Sequence, residues 1–182
     1  MNTPNKLTLL RMIMVPFFMF FALGGGQVNA AIALLIFILA SITDYFDGKI
    51  ARKSGQVTTF GKFMDPLADK LLTTAAFLVF MEKDFISPWV IIIILFREFA
   101  VSGIRLAAAG TGEIIAASFF GKLKTVSQMV AIIITFVLVI IPIFPLGTDI
   151  IIINTVVWIS TVLTLLSGAD YIYNSRNLLV LK

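Results

Sequence analysis

Along 44–52 the chain reads Asp44-Tyr45-Phe46-Asp47-Gly48-Lys49-Ile50-Ala51-Arg52, and a short connection later it reads Gly61-Lys62-Phe63-Met64-Asp65-Pro66-Leu67-Ala68-Asp69. On a helix, Asp47 lies about 60° around from Asp44, Gly48 about 40° to the other side and Ala51 about 20° away. Two carboxylates therefore share a face with the two smallest residues, which leaves a notch for a ligand. Asp65 and Asp69, four apart, share a face in the same way. If these faces pack together, four bare carboxylates repel strongly and need a cation between them. An oxygen-only donor set selects a hard ion, Mg²⁺ or Mn²⁺, and four carboxylates can hold two such ions as in two-metal phosphoryl transfer. The acids also fit two other roles, interfacial ion pairs with Lys49, Arg52, Lys62 and Lys70, or an ion-conducting or transporting site.

The chain has no cysteine and no histidine. Thiolate chemistry, imidazole bases and the usual zinc ligands are excluded, so catalysis must run on carboxylates, amines and hydroxyls.

A second polar cluster reads Arg97-Glu98-Phe99 and Ser102-Gly103-Ile104-Arg105, then Gly121-Lys122-Leu123-Lys124-Thr125 and Gln128. A charge inside an apolar helix costs ~2.5–3.5 kcal/mol on insertion scales and is functional by default. Arg105, Lys122 and Lys124 fall in corresponding halves of two helices, and converging cations suit a phosphorylated ligand better than a neutral one. Arg97 lies about 80° around and about 12 Å along the helix from Arg105. It reads as a fourth cation of that site, as a counter-charge to the aspartates, or as the partner of an acid on another helix. Glu98 is expected to find its own partner on another helix.

The elements that position these residues are membrane helices. Of 182 residues, 59% are hydrophobic and 13% charged, and the mean hydropathy is +1.04. A soluble domain is roughly half apolar and a quarter charged. Spans need ~20 apolar residues, and six can be placed at 8–25, 28–52, 61–82, 86–109, 116–144 and 149–174. The fold expected is an all-α, polytopic bundle of six transmembrane helices with a short N-terminal juxtamembrane segment, forming one domain over 1–182. Lys6 and Arg11 ahead of an apolar run ending near Val28-Asn29-Ala30 also fit a secretory signal. Gly24-Gly25-Gly26-Gln27 reads equally well as a hairpin between two spans. Of the fourteen Lys and Arg, all but Lys83 and Arg97 fall on one side of the six-span drawing, which puts both termini and the aspartates in the cytoplasm. Phe and Met stripes elsewhere read as lipid-facing and helix-packing surface.

The complete pattern Asp44-x2-Asp47-Gly48-x2-Ala51-Arg52-x8-Gly61-x3-Asp65-x3-Asp69 resembles the signature of the CDP-alcohol phosphatidyltransferase family, with every position filled. The resemblance implies transfer of a phosphatidyl group from CDP-diacylglycerol to an alcohol with release of CMP. It implies that Asp44, Asp47, Asp65 and Asp69 hold the metal ions and that Asp69 doubles as the catalytic base. Gly48, Arg52 and Thr58 would contact the nucleotide. Pro4-Asn5-Lys6-Leu7-Thr8-Leu9-Leu10-Arg11 resembles the family's juxtamembrane segment, in which Asn5 and Thr8 would help close the nucleotide pocket; a helix cap is the other reading of these two.

The second cluster is similar to that of the bacterial inner-membrane members that take glycerol 3-phosphate and make phosphatidylglycerophosphate. On that reading Arg105, Lys122 and Lys124, with Arg97, bind the acceptor phosphate. Inositol phosphate, serine and phosphatidylglycerol are the alternative acceptors, and an ion transporter with an acidic site is the distant alternative. A homodimer among membrane lipids is implied by the resemblance alone, and no nucleic-acid partner is expected.

Overall fold

A computed structural model describes residues 3–54, 59–110, 118–141 and 147–176; within these, the side chains of 3–6, 44–54, 59–63, 65–66, 69 and 109–110 lie outside the description. The described residues form six helices and no strand: α1 (Thr3–Leu23), α2 (Gly26–Ser54), α3 (Thr59–Glu82), α4 (Pro88–Gly110), α5 (Phe119–Ile140) and α6 (Thr148–Asn174). Each expected span has its helix within a few residues. The juxtamembrane segment and the first span are one continuous helix, α1, which begins at Thr3.

The helix ends follow from local chemistry. Between α1 and α2, Gly25 and Gly26 have φ of 72° and 77°, a left-handed backbone that glycine adopts without steric cost. The Asn29 side chain closes this turn by donating to the carbonyls of Gly24 and Gly25 at 3.2 and 2.8 Å. Pro88 opens α4 at a position where its missing N–H costs nothing. Ser118 caps α5, its hydroxyl accepting from the Gly121 N–H at 3.1 Å.

The ends of α1, α3 and α5 and the starts of α2, α4 and α6 lie at one end of this antiparallel bundle, where the Asn154 side chain of α6 donates to the Phe85 carbonyl at 2.7 Å. The opposite end gathers the start of α1, the end of α2, the start of α3, the end of α4, the start of α5 and the end of α6. All the charged residues discussed below belong to that second, polar end.

α1 packs against both α2 and α3, and α5 packs against α2 and α6. α4 leans on α6, whereas the described parts of α2 and α3 touch each other little. Small residues set these approaches: Ala30, Ala33, Phe37 and Ala40 form one buried stripe on α2, with three alanines to let a neighbour close in. Phe18 fills the centre, its ring 6.1 Å from Phe37 and 5.8 Å from Phe136, which in turn stands 5.2 Å from Phe80.

The outside is apolar, with Phe20, Val28, Trp89, Phe96 and Ile151 among the exposed side chains. Three helical segments, Gly26–Thr43, Phe119–Ile140 and Thr148–Asn174, are long and apolar enough to cross a bilayer, and Leu7–Leu23 is a shorter apolar helix. α4 is of similar length but is interrupted by Arg97, Glu98 and Arg105. This is a polytopic membrane protein whose exposed apolar surface is solvated by lipid.

Candidate active site

Helix register carries the core into the signature. On α2 the buried positions 30, 33, 37 and 40 advance by three and four, and positions 44, 47 and 51 continue that advance. On α3, buried Leu72 and Ala76 each follow a signature position, 65 and 69, by seven residues. Thus the spacing that packs these helices also sets the aspartate positions at the polar end. The side chains of Asp44, Asp47, Asp65, Asp69, Arg52 and Asn5 lie outside the description, and so do the surroundings of Gly48; Thr58 lies outside the described residues altogether.

α1 contributes the third side of this end. Thr8, Arg11, Val15, Phe18 and Ala22 form a single buried stripe, with Thr8 and Arg11 0% and 1% exposed. Thr8 therefore belongs to the interior of the polar end. In the sequence Arg11 reads as a topology charge, as part of a possible secretory signal and as the last residue of the juxtamembrane segment; its three-and-four register with Val15, Phe18 and Ala22 is the signal that it faces inward.

The basic cluster is better defined. Arg97 and Lys124 are 8% and 7% exposed, and they meet at one carboxylate, that of Glu98. Lys124 of α5 forms a close ion pair with Glu98 Oε1, and an Arg97 terminal nitrogen lies 3.1 Å from the same oxygen. Lys70 of α3 stands 3.7 Å from Oε2 and also donates to the Ser102 hydroxyl of α4. The other terminal nitrogen of Arg97 donates to Ser167 of α6 at 2.5 Å. Glu98 thus finds its partners on other helices, as the sequence suggested, and also next door in Arg97.

Small residues make room for Arg97. A Cβ on Gly168 would stand 3.0 Å from Arg97 Cγ, so α6 approaches the arginine stem as closely as a glycine permits. Gly121, in the first turn of α5, lies beside the guanidinium. Below, Gln128 donates to Thr164 at 3.0 Å, tying α5 to α6.

Arg105 and Lys122 are placed differently. Arg105 is exposed; its Nε donates to the Tyr171 hydroxyl at 3.2 Å, and the guanidinium carbon lies 5.3 Å from that ring's centre. Lys122 is exposed, whereas Lys124 is buried. Two residues along a helix is about 200°, so the two lysines occupy opposite faces of α5. The structure joins Arg97 and Lys124 at one carboxylate, gives Arg105 to Tyr171, and leaves Lys122 on the outer face.

Lys70, Ser167 and Tyr171 were missed as site residues by the sequence reading. Lys70 adjoins Asp69, and Ser167-Gly168 interrupts an apolar helix with small polar residues. Both signals were visible but had no partner until the helices were packed. Chemically, the polar end offers aspartate positions on two helices and, beside them, three cations gathered on one acid, an arrangement suited to phosphate groups.

Comparison with known proteins agrees. The family model described as CDP-alcohol phosphatidyltransferase matches residues 1–166. The CDP-diacylglycerol–glycerol-3-phosphate 3-phosphatidyltransferase of Bacillus subtilis is 46% identical over 143 residues, covering 72% of this chain and 74% of that protein. The protein of the same name from Rickettsia typhi is 38% identical over 174 residues, covering 93% of this chain and 94% of its own length. The probable phosphatidylglycerophosphate synthase of Mycobacterium tuberculosis is 43% identical over 175 residues, covering 94% of this chain and 80% of its own. With its signature on α2 and α3 and its family match running from α1 well into α6, this chain belongs to the CDP-alcohol phosphatidyltransferase family.

Proposed function

We propose that this protein transfers the phosphatidyl group of CDP-diacylglycerol to glycerol 3-phosphate, giving phosphatidylglycerophosphate and CMP. The observation that carries the acceptor is the meeting of Lys70, Arg97 and Lys124 at the polar end, and the names of the relatives point the same way. A neutral acceptor such as serine has no use for that many cations. Arg97 and Lys124 form the buried part of the phosphate site, and Arg105 approaches it from the exposed side, while Lys122 stands on the outer face of α5.

In the reaction, the acceptor's hydroxyl oxygen forms a bond to the lipid-side phosphorus of the pyrophosphate. The bridging P–O bond breaks toward CMP, which leaves with the bridging oxygen. The hydroxyl proton passes to Asp69, which acts as general base. Arg97 and Lys124 orient the acceptor by its phosphate so that the hydroxyl faces Asp69. Gly48 permits close approach of the nucleotide to α2, while Arg52, Thr58, Asn5 and Thr8 contact it.

The donor set at positions 44, 47, 65 and 69 is all carboxylate, which fits Mg²⁺ or Mn²⁺ and two ions. Such ions, when bound, neutralise the pyrophosphate and the departing CMP.

The charge distribution supports a setting in the bacterial inner membrane with the polar end and both termini in the cytoplasm. The whole of 1–182 acts as one domain, in a homodimer. The deciding experiment offers the purified protein CDP-diacylglycerol and Mg²⁺ with glycerol 3-phosphate, serine, inositol phosphate or phosphatidylglycerol in turn, scoring CMP release. Turnover with glycerol 3-phosphate is expected; turnover only with another acceptor would reassign the second substrate.

A further inference from the structure

An acid stands at the centre of the basic cluster, and binding a phosphate does not by itself call for one. The Glu98 side chain is 12% exposed, and its two oxygens reach cations from three helices. Oε1 takes Lys124 of α5 and its neighbour Arg97 on α4, while Oε2 faces Lys70 of α3. One cation would neutralise one buried carboxylate, yet three are gathered. Among the described side chains of this cluster three cations meet one acid, an excess of positive charge that suits a phosphate monoester. The Arg97 Nε is buried and, among the described residues, has no hydrogen-bond partner, so a donor is left over beside the ion pairs.

We infer that Glu98 is the positioning residue of the acceptor site, holding Lys124, Arg97 and Lys70 at the spacing that a phosphate dianion meets. The inference rests on the glycerol 3-phosphate reading above. Without a shared anion, three like charges on long side chains separate by mutual repulsion and regain rotamer freedom. A phosphate would then have to collect them at the moment of binding. Held on Glu98, they are ordered beforehand. Lys70 adds a second consequence. It is the residue after Asp69, and its ammonium reaches Glu98 and Ser102 on α4. The helix that carries the proposed base is thereby tied to the helix that carries the acceptor site.

The experiment uses the full chain in vesicles, as wild type, Glu98→Gln and Glu98→Asp. CMP release gives separate KM values for glycerol 3-phosphate and CDP-diacylglycerol, and inorganic phosphate serves as a competitive inhibitor of the first. In Glu98→Gln, the acceptor KM and the phosphate inhibition constant should both rise about tenfold or more, the scale of losing a charge-assisted contact. The KM for CDP-diacylglycerol should stay near its wild-type value. Glu98→Asp keeps the charge but reaches one methylene less far, so it should recover part of the loss. If Glu98 served folding alone, the variants would insert less protein and leave both KM values and phosphate inhibition as in wild type, and the inference would be overturned. Should Glu98→Gln not insert, Glu98→Asp carries the same comparison, and an unaltered acceptor KM there is equally decisive. Wild-type protein giving no CMP with glycerol 3-phosphate would overturn the acceptor reading, and this inference with it, before any variant is compared.

Discussion

Gly168 of α6 lies against the stem of Arg97, so close that a Cβ on the glycine would stand 3.0 Å from the arginine Cγ. Arg97 is 8% exposed, and its terminal nitrogens are committed to Glu98 and Ser167. The stem cannot yield without moving those contacts. Gly168→Ala should cost about 1–3 kcal/mol by overpacking, seen as a lower melting temperature together with a weaker kcat/KM for the acceptor. Gly121→Ala is the control. Its Cβ would meet nothing nearer than Ser118 Oγ at 3.5 Å, so the helix propensity of alanine should leave stability unchanged or raised.

Asp44→Ala, Asp47→Ala and Asp65→Ala should each insert normally and lose activity by orders of magnitude, since each removes an oxygen ligand from the proposed divalent site. CMP release measured across Mg²⁺ and Mn²⁺ titrations checks this. Undiminished wild-type turnover after treatment with a chelator would remove the metal from the mechanism.

Asp69→Asn keeps the size and one oxygen of the side chain while losing its affinity for a proton. Binding of the CDP-lipid should survive better than turnover, and kcat should fall by about 10²–10⁴-fold, the usual contribution of a general base. A fall of less than about tenfold would assign the proton to another group.

The bond from Arg105 Nε to Tyr171 leaves the two terminal nitrogens of the guanidinium free of that contact. Arg105→Ala should reduce kcat/KM for glycerol 3-phosphate roughly 10- to 150-fold, the equivalent of ~1.5–3 kcal/mol for one charged contact. Arg105→Lys should restore only part, because an ammonium lacks the planar fork. Tyr171→Phe removes one neutral hydrogen bond and should cost less than Arg105→Ala. Equal acceptor kinetics in all three variants would make the pair structural.

Lys124→Ala should cut acceptor kcat/KM by the same 10- to 150-fold scale and also lower stability, because it breaks a buried pair and leaves Glu98 and Arg97 to rearrange. Lys122→Ala, on the exposed face of α5, should cost less. Acceptor kinetics for the two single variants, measured side by side, decide whether the outer lysine takes part at all.

Much of this protein was legible along the chain. Six apolar stretches announced six helices, because backbone polar groups in lipid must pair within the segment. The family followed from the resemblance of the residues between Asp44 and Asp69 to a known signature, which is read along the chain without any helix packing. Burial and pairing across helices were not legible. Lys122 and Lys124 looked like one basic motif, and it took the packing of α5 against α6 and α2 to turn one inward and leave the other outside. Glu98 announced only that it needed a partner on another helix; that it gathers Lys70, Arg97 and Lys124 depended on three helices arriving at one place. Arg11 read as a surface charge until α1 was seen to pack against both α2 and α3. The sequence by itself determined the helices and the family, since both are read from the order of residues along the chain. Which charges meet was decided by tertiary structure alone, because an ion pair depends on helix rotation and approach, and these are set by small residues such as Ala33 and Gly168 on other segments of the chain.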